Sequence, residues 1–263
     1  MKSLISLLSI IAIVSCTNNT NNTNETDWQK ANLKGKAKLV HETTFLAAKK
    51  FGEISKVSFL SKDVNHYNKQ GYLIERDYYD SINILLGKTI YKYTQTNKLI
   101  EEREYDESGK LTLRKAYQFN SDGSVNHILL RNEEDVIIGS LDYHYSVEKD
   151  NRVVGISKYE NDNLTETSLN VYDKNNLLKL EIFYDSEGYL MHTFYYYYNN
   201  EKLTSGLFEL YSRETNTKHK FANYYYYYEY DSKGSWVSKR IKIDYIDSNN
   251  QDYTITEREI EYY

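Results

Sequence analysis

The sequence predicts an all-β protein, a single long antiparallel β-meander of repeated hairpins whose sheet is strongly twisted or curled. Three observations carry this prediction. The 263 residues include 29 tyrosines and no proline, where an average chain carries about 5% proline. A short turn phrase recurs through most of the chain. Between its copies lie short alternating segments rich in β-branched and aromatic residues, with no stretch of helical periodicity. An aromatic content of 15% and a hydrophobic content of 40% exclude a disordered chain, which is short of both.

The first element is an address. Residues 1–15 carry Lys2, an apolar run over 4–14 and a small residue, Ser15. That run is too short for a membrane span, which needs about 20 residues, and it fits the apolar region of a secretory signal. The sequence Ile13-Val14-Ser15-Cys16 resembles the lipobox of bacterial lipoproteins. The resemblance implies that Cys16 is acylated, becomes the first residue of the mature chain and joins it to a membrane. Thr17 stands where many lipoproteins carry the aspartate of inner-membrane retention, so the resemblance also implies an outer-membrane lipoprotein, periplasmic or surface-facing. Cys16 is the one cysteine, which leaves none for disulfides, thiolate metal sites or a nucleophile. Residues 16–27, rich in Asn and Thr, have little to bury and read as a disordered tether.

The folded part divides into an N-terminal cap with first strands, 28–65, and a repeat domain, 66–263. Residues 36–45 alternate like a strand, whereas 46–52 suit a helical turn or a loop, and this region is expected to cover the first edge of the sheet. From there the phrase is aromatic, Asp or Asn, polar residues ending in Gly, then an aliphatic. Clear copies start at Tyr67, Tyr105, Phe119, Tyr184 and Tyr230, and degenerate ones at Tyr79, Tyr93, Arg131, Tyr145, Tyr159, Tyr172 and Tyr198. This is an internal repeat. Each copy reads as a hairpin turn, since Asp and Asn bond their own backbone and Gly supplies a positive φ. Where aromatic and aliphatic stand six apart, an even step keeps both on one face. Tyr105, Leu111, Tyr117, Phe119, Val125, Leu129, Ile137, Leu141, Tyr143 and Tyr145 are therefore expected on the buried face. Near Tyr159, Tyr172 and Tyr198 the step is five, and bulges are expected. The chain is expected to end in a charged edge hairpin, Lys242 opposite Glu257 and Arg240 opposite Glu259.

The full phrase Tyr-Asp-x-x-Gly-x-Leu at Tyr105 to Leu111 and Tyr184 to Leu190 resembles the YD repeat of the RHS family, over about residues 66–236. It implies a continuous sheet of stacked hairpins and a cell-envelope setting. The chain is too short to enclose a second domain and, lacking proline, has no counterpart of the motif that ends the RHS core. No activity is implied.

Chemistry is sparse. The net charge of -5 opposes nucleic acid as a partner, since neutralising phosphates needs clustered Lys and Arg. The histidines at 41, 66, 127, 144, 192 and 219 form no HxH or HExxH pair, so local spacing supports no metal, and no cofactor motif occurs. His127 and His192 read as hydrogen-bonded or surface histidines. Acidic clusters at Glu101-Glu102-Arg103-Glu104 and Glu133-Glu134-Asp135 could in principle hold the paired carboxylates of a hydrolase, but solvated turn or strand faces are the reading preferred for them. The tyrosine runs 194–198 and 224–228 put Tyr195, Tyr197, Tyr225 and Tyr227 on the face opposite Phe194, Tyr196, Tyr198, Tyr224, Tyr226 and Tyr228. Those four are the candidate ligand-binding residues, since tyrosine joins a flat apolar body to a polar tip. The sequence thus points to a non-enzymatic envelope lipoprotein that binds glycan or protein, with a structural or assembly role as the alternative.

Overall fold

The structure, a computed structural model, describes residues 25–263 except 216 and 249. The signal segment, Cys16 and the tether through residue 24 lie outside the described residues. Sixteen strands follow one another: β1 (Ala37–Lys50), β2 (Glu53–Tyr67), β3 (Leu73–Tyr79), β4 (Leu85–Tyr93), β5 (Leu99–Asp106), β6 (Leu111–Phe119), β7 (Val125–Arg131), β8 (Ile137–Glu148), β9 (Asn151–Glu160), β10 (Asn163–Tyr172), β11 (Leu178–Asp185), β12 (Leu190–Asn199), β13 (Lys202–Ser212), β14 (Thr217–Tyr230), β15 (Trp236–Tyr245) and β16 (Gln251–Tyr262). Each pairs antiparallel with its sequence neighbour, and β16 also pairs with β1, from Ala37↔Tyr262 to Ala47↔Tyr253.

The expected antiparallel meander is present, and it closes into a barrel. Closure overturns the resemblance to RHS YD repeats, which implied a sheet continuing as stacked hairpins. It also corrects the expected cap: residues 46–52 continue β1 to Lys50 and turn at Phe51 and Gly52, because β1 pairs with β2 on one side and closes the ladder with β16 on the other. No edge needs covering in a closed barrel. The C-terminal register differs as well. Arg240 pairs with Ile255, Lys242 with Tyr253 and Glu257 with Ser238, because Asp244 already pairs with Gln251 across a short connection. The glutamates instead meet lysines of the first two strands, Lys38 of β1 at Glu261 (2.8 Å) and Lys56 of β2 at Glu257 (2.5 Å).

The repeat sets the hairpins. At Asp106 the side chain accepts from the backbone of Ser108 (3.0 Å) and Lys110 (2.9 Å), while Gly109 N–H donates to Asp106 O (3.0 Å). The same backbone pattern recurs at Asn68, Asp80, Thr94, Asn120, Asn132, Asp173, Asp185 and Asp231. The left-handed position is Gly71, Gly109, Gly123, Gly188 and Gly234 in the clear copies, and Asn83, Asn97, Asp135 and Asn176 in degenerate ones. Asn and Asp are the side chains that tolerate that region best, so degenerate copies keep the turn. At Asn161-Asp162 and Asn200-Glu201 two consecutive positive φ values make tight two-residue turns of the type whose twist suits a hairpin. The copy at Tyr145 is no turn, since β8 runs on to Glu148.

Register shifts accompany the three five-residue steps as expected, and also the six-residue ones, including Tyr105/Leu111 and Phe119/Val125. One extra residue per hairpin inverts the parity of the next strand. Hence Ile128 is buried as the partner of Tyr117, Leu129 lies on the opposite face, and Ile137 is exposed at a barrel end.

Candidate functional site: the inner wall

Following the ladders around the barrel assigns each side chain to a wall. The inner wall carries Val40, Glu42 and Thr44 on β1, Asp63 and Asn65 on β2, Arg76 on β3, Glu102 on β5, and Lys115 and Tyr117 on β6. It continues through Tyr143 and Tyr145 on β8, Asn170 and Tyr172 on β10, Glu181 on β11, Phe194 and Tyr196 on β12, Tyr224 and Tyr226 on β14, Lys239 on β15 and Arg258 on β16. Charges meet across non-adjacent strands on this face, as Lys239 of β15 and Arg76 of β3 both act on Glu42 of β1. That convergence identifies the concave side. The inner wall is not uniformly buried: the Glu42 side chain keeps 24% of its exposure and Lys115 keeps 27%.

The wall has two sectors. From β8 to β15 it is aromatic: Tyr172, Phe194, Tyr196, Ala222, Tyr224 and Ile243 form a buried cluster, with Phe194 5.1 Å from Tyr224 between ring centroids. A Cβ placed on Gly206 would stand 2.6 Å from the Phe194 ring; glycine there lets the ring lie across β13. Burial pushes the phenols of Tyr172 and Tyr224 up to about 12. Polar groups are few in this sector. Tyr196 donates its hydroxyl to Glu181, whose carboxyl burial pushes upward. Beside Glu181 in the ladder, the Asn170 amide oxygen is buried without a hydrogen-bond partner among the described residues.

From β15 around to β6 the wall is charged. Arg258 donates to Glu42 through Nε (2.8 Å) and Nη2 (2.7 Å). Burial pushes Glu42 up, but Arg258 and Lys239 outweigh it and hold the carboxyl below its ordinary range. Burial in turn lowers Lys239. Asp63, the ladder partner of Glu42, lacks such pairing, and burial pushes it up to about 6 against the pull of Arg76. Further on, Lys115 reaches Glu102 (3.3 Å) and Glu104 (2.6 Å), which outweigh its burial and raise its pKa.

The two ends of the barrel differ. At one, residues 25–36 lie across the opening. Thr26 and Gln29 form a capping box on α1 (Asp27–Lys30), so structure begins inside the expected tether. Trp28 donates to Ala37 O (2.8 Å), Asp27 accepts from Leu73 N–H (2.9 Å) and Tyr93 OH (2.8 Å), Arg258 donates to Ala31 O (2.8 Å), and Lys34 N–H donates to Ser235 (2.7 Å). These contacts join β1, β3, β4, β16 and the turn before β15. The turns of the opposite mouth expose Phe51, Ile82, Ile84, Val136, Tyr189 and Ile246.

The candidate tyrosines stand on the outer wall. Tyr197 and Tyr225 lie in one row with Ser205 between them. Tyr197 is 48% exposed and Tyr227 52%. Tyr195 accepts from Lys218 (2.7 Å), and Lys242 lies over the Tyr225 ring. The acidic clusters are divided: Glu101 faces outward against Arg103 (2.8 Å) and Arg114 (2.5 Å), Glu102 and Glu104 face inward on Lys115, and Glu133 and Asp135 pair with Lys110 and Arg114 at the mouth. His127 bonds Asp142, and His192 stacks on Phe183 at 4.4 Å, its pKa lowered by burial. The inner polar groups escape sequence reasoning because they sit among strand residues of both parities; only the ladder with its bulges sorts them.

Charged side chains recur on the outer wall: Glu75, Asp77, Lys88, Arg103, Arg240 and Glu259. A lipid-facing barrel carries an apolar band about 25 Å tall, and a central Arg or Lys there costs about 2–4 kcal/mol, so this wall suits water better than hydrocarbon.

No family model matches the chain, and no curated protein matches it. Among solved structures it is similar to a porin-like protein from Bacteroides uniformis (10% identity, 94% of this chain and 100% of that one, TM-score 0.38). It is also similar to a porin-like protein from Bacteroides vulgatus (10%, 88% and 99%, TM-score 0.39) and to a putative outer membrane lipoprotein-sorting protein domain from Vibrio parahaemolyticus (9%, 85% and 86%, TM-score 0.28). None of these three is a YD-repeat protein, and at such values the likeness is one of loose strand arrangement, from which no activity follows.

Proposed function

We propose that this chain is a non-enzymatic binding protein of the cell envelope, held to the outer membrane by lipid on Cys16, whose lumen takes a glycan chain. The observation that carries the reading is the divided inner wall: a tyrosine sector and a charged sector line the same closed barrel, with residues 25–36 packed over one end. Tyrosine faces suit the flat apolar sides of sugar rings, and the charged and amide groups suit hydroxyls. The first described residue, Glu25, lies at the covered end, so a lipid on Cys16 would join the barrel to the membrane from that side. The acidic clusters offer no support for a hydrolase, because Glu101 turns outward from Glu102 and Glu104, and Glu133 and Asp135 are tied to Lys110 and Arg114 at the mouth.

The exposed aliphatic side chains of the open mouth, together with Tyr195, Tyr197, Tyr225 and Tyr227 outside, favour a second reading, an assembly component touching protein. A glycan array probed with residues 25–263 separates the two. The lumen reading expects a hit that Tyr143→Ala and Tyr226→Ala abolish and Tyr197→Ala with Tyr227→Ala leave intact. Loss in the outer pair alone would move the site outside, and silence on the array with a stable oligomer would favour assembly.

A further inference from the structure

The hairpin of β2 and β3 places three metal-ligating side chains together on the outer wall. His66 pairs with Glu75 in the ladder, and Asp77 follows two residues on, on the same face. The bulge at His66/Tyr67 makes this arrangement: Tyr67 pairs with Leu73, so Ile74 is the extra residue and Glu75 stands opposite the histidine. One ligand atom from each residue lies within 4.8 Å of the others, and His66 Nε2 stands 3.6 Å from Asp77 Oδ2. A separate observation points the same way. His66 Nε2 is itself enclosed and has no hydrogen-bond partner among the described residues, although such an atom normally finds one.

We propose that His66, Glu75 and Asp77 bind a divalent transition-metal ion, with zinc as the natural occupant. One imidazole and two carboxylates are ligand types that zinc takes, at bond lengths of about 2.0–2.2 Å, and three of them leave a fourth tetrahedral position for water. Side-chain rotation must draw the ligand atoms closer to reach them. Calcium and magnesium prefer sets made of oxygen alone. Lys88 Nζ, 3.9 Å from Glu75 Oε2, competes with the ion for that carboxylate. The cluster is independent of the lumen reading, since it faces the other side of the wall.

The test is titration of tag-free, chelator-treated protein, residues 25–263, with Co²⁺ as a spectroscopic probe. The expected result is one equivalent bound, visible d–d absorption, displacement by Zn²⁺ but not by Ca²⁺, and a raised melting temperature with Zn²⁺. His66→Gln and Asp77→Asn should each weaken binding at least about tenfold, the upper range even for outer-shell changes being about 100-fold. His219→Gln should leave binding unchanged and Lys88→Ala should tighten it. Circular dichroism identical to the parent keeps a loss in His66→Gln attributable to the ligand. Absence of saturable binding, equal binding by His66→Gln, or displacement by Ca²⁺ as readily as by Zn²⁺ would overturn the assignment.

Discussion

Asp63 shows how single residues record the closure of the barrel. On an open sheet its carboxyl would be solvated, whereas on the inner wall burial pushes it up to about 6 from an ordinary 3.8, with only partial relief from Arg76. Below the ordinary value both folded and unfolded chains hold the proton. Between about 4 and 6 the folded chain retains it and the unfolded chain releases it, so the Asp63 contribution to stability falls as pH rises through that window and stays low above it. Asp63→Asn removes the effect while Arg76 keeps its bond to Asn65 (2.7 Å). The variant should therefore melt with the parent at pH 4 and several degrees higher at pH 7.5, at about 2–4 °C per kcal/mol for a chain of this size. Equal melting temperatures at both values would place Asp63 in bulk water and count against the enclosed wall.

Among the elements, the N-terminal segment is tied most widely. Its position depends on Gly71, where φ is +93° and an added Cβ would stand 2.6 Å from the Trp28 ring. Gly71→Ala should thus disturb the turn and displace Trp28 together, and Trp28→Ala should release the segment while leaving the turn intact. Both variants should show faster amide exchange and proteolysis over residues 25–36, read by mass spectrometry; protection unchanged in Trp28→Ala would mean the segment is held by Asp27, Ala31 and Lys34 without the indole. How far these elements were legible in the sequence depends on which forces are local. The Asp-x-x-Gly turns could be read directly, because side chain, carbonyl and left-handed position all lie within five residues. Parity could not be carried from Phe119 to Leu129, because the extra residue Asn126 is chosen by the ladder. The same holds for His66 and Glu75, whose meeting depends on Ile74 being the bulge.

At the scale of the molecule, the decisive contact is the ladder between β1 and β16. Each strand alone alternates like any other in the meander, and neither sequence announces the other as partner across more than two hundred residues. Its consequence is that chain ends meet. Tyr263 N–H donates to Lys36 O (2.9 Å) and Ala37 pairs with Tyr262, so the start of the barrel lies beside its finish at the covered end. A closed ring of antiparallel neighbours has no privileged first strand, and permuting such a chain at an exposed tight turn breaks no ladder. The turn at Asn161-Asp162, two residues in the left-handed region between β9 and β10, is a suitable opening. A permutant that begins at Asn163, passes from Tyr263 through a short Gly/Ser linker to Glu25 and ends at Asp162 should keep the parent's circular dichroism, remain monomeric if the parent is, and melt cooperatively a few degrees lower. An open meander predicts a different result, because the linker would have to span the full width of the sheet and two new edges would appear in its middle. Aggregation or loss of β signal in the permutant, with the parent soluble, would therefore decide against closure, whereas a cooperative monomer would establish that the first and last strands are neighbours in solution.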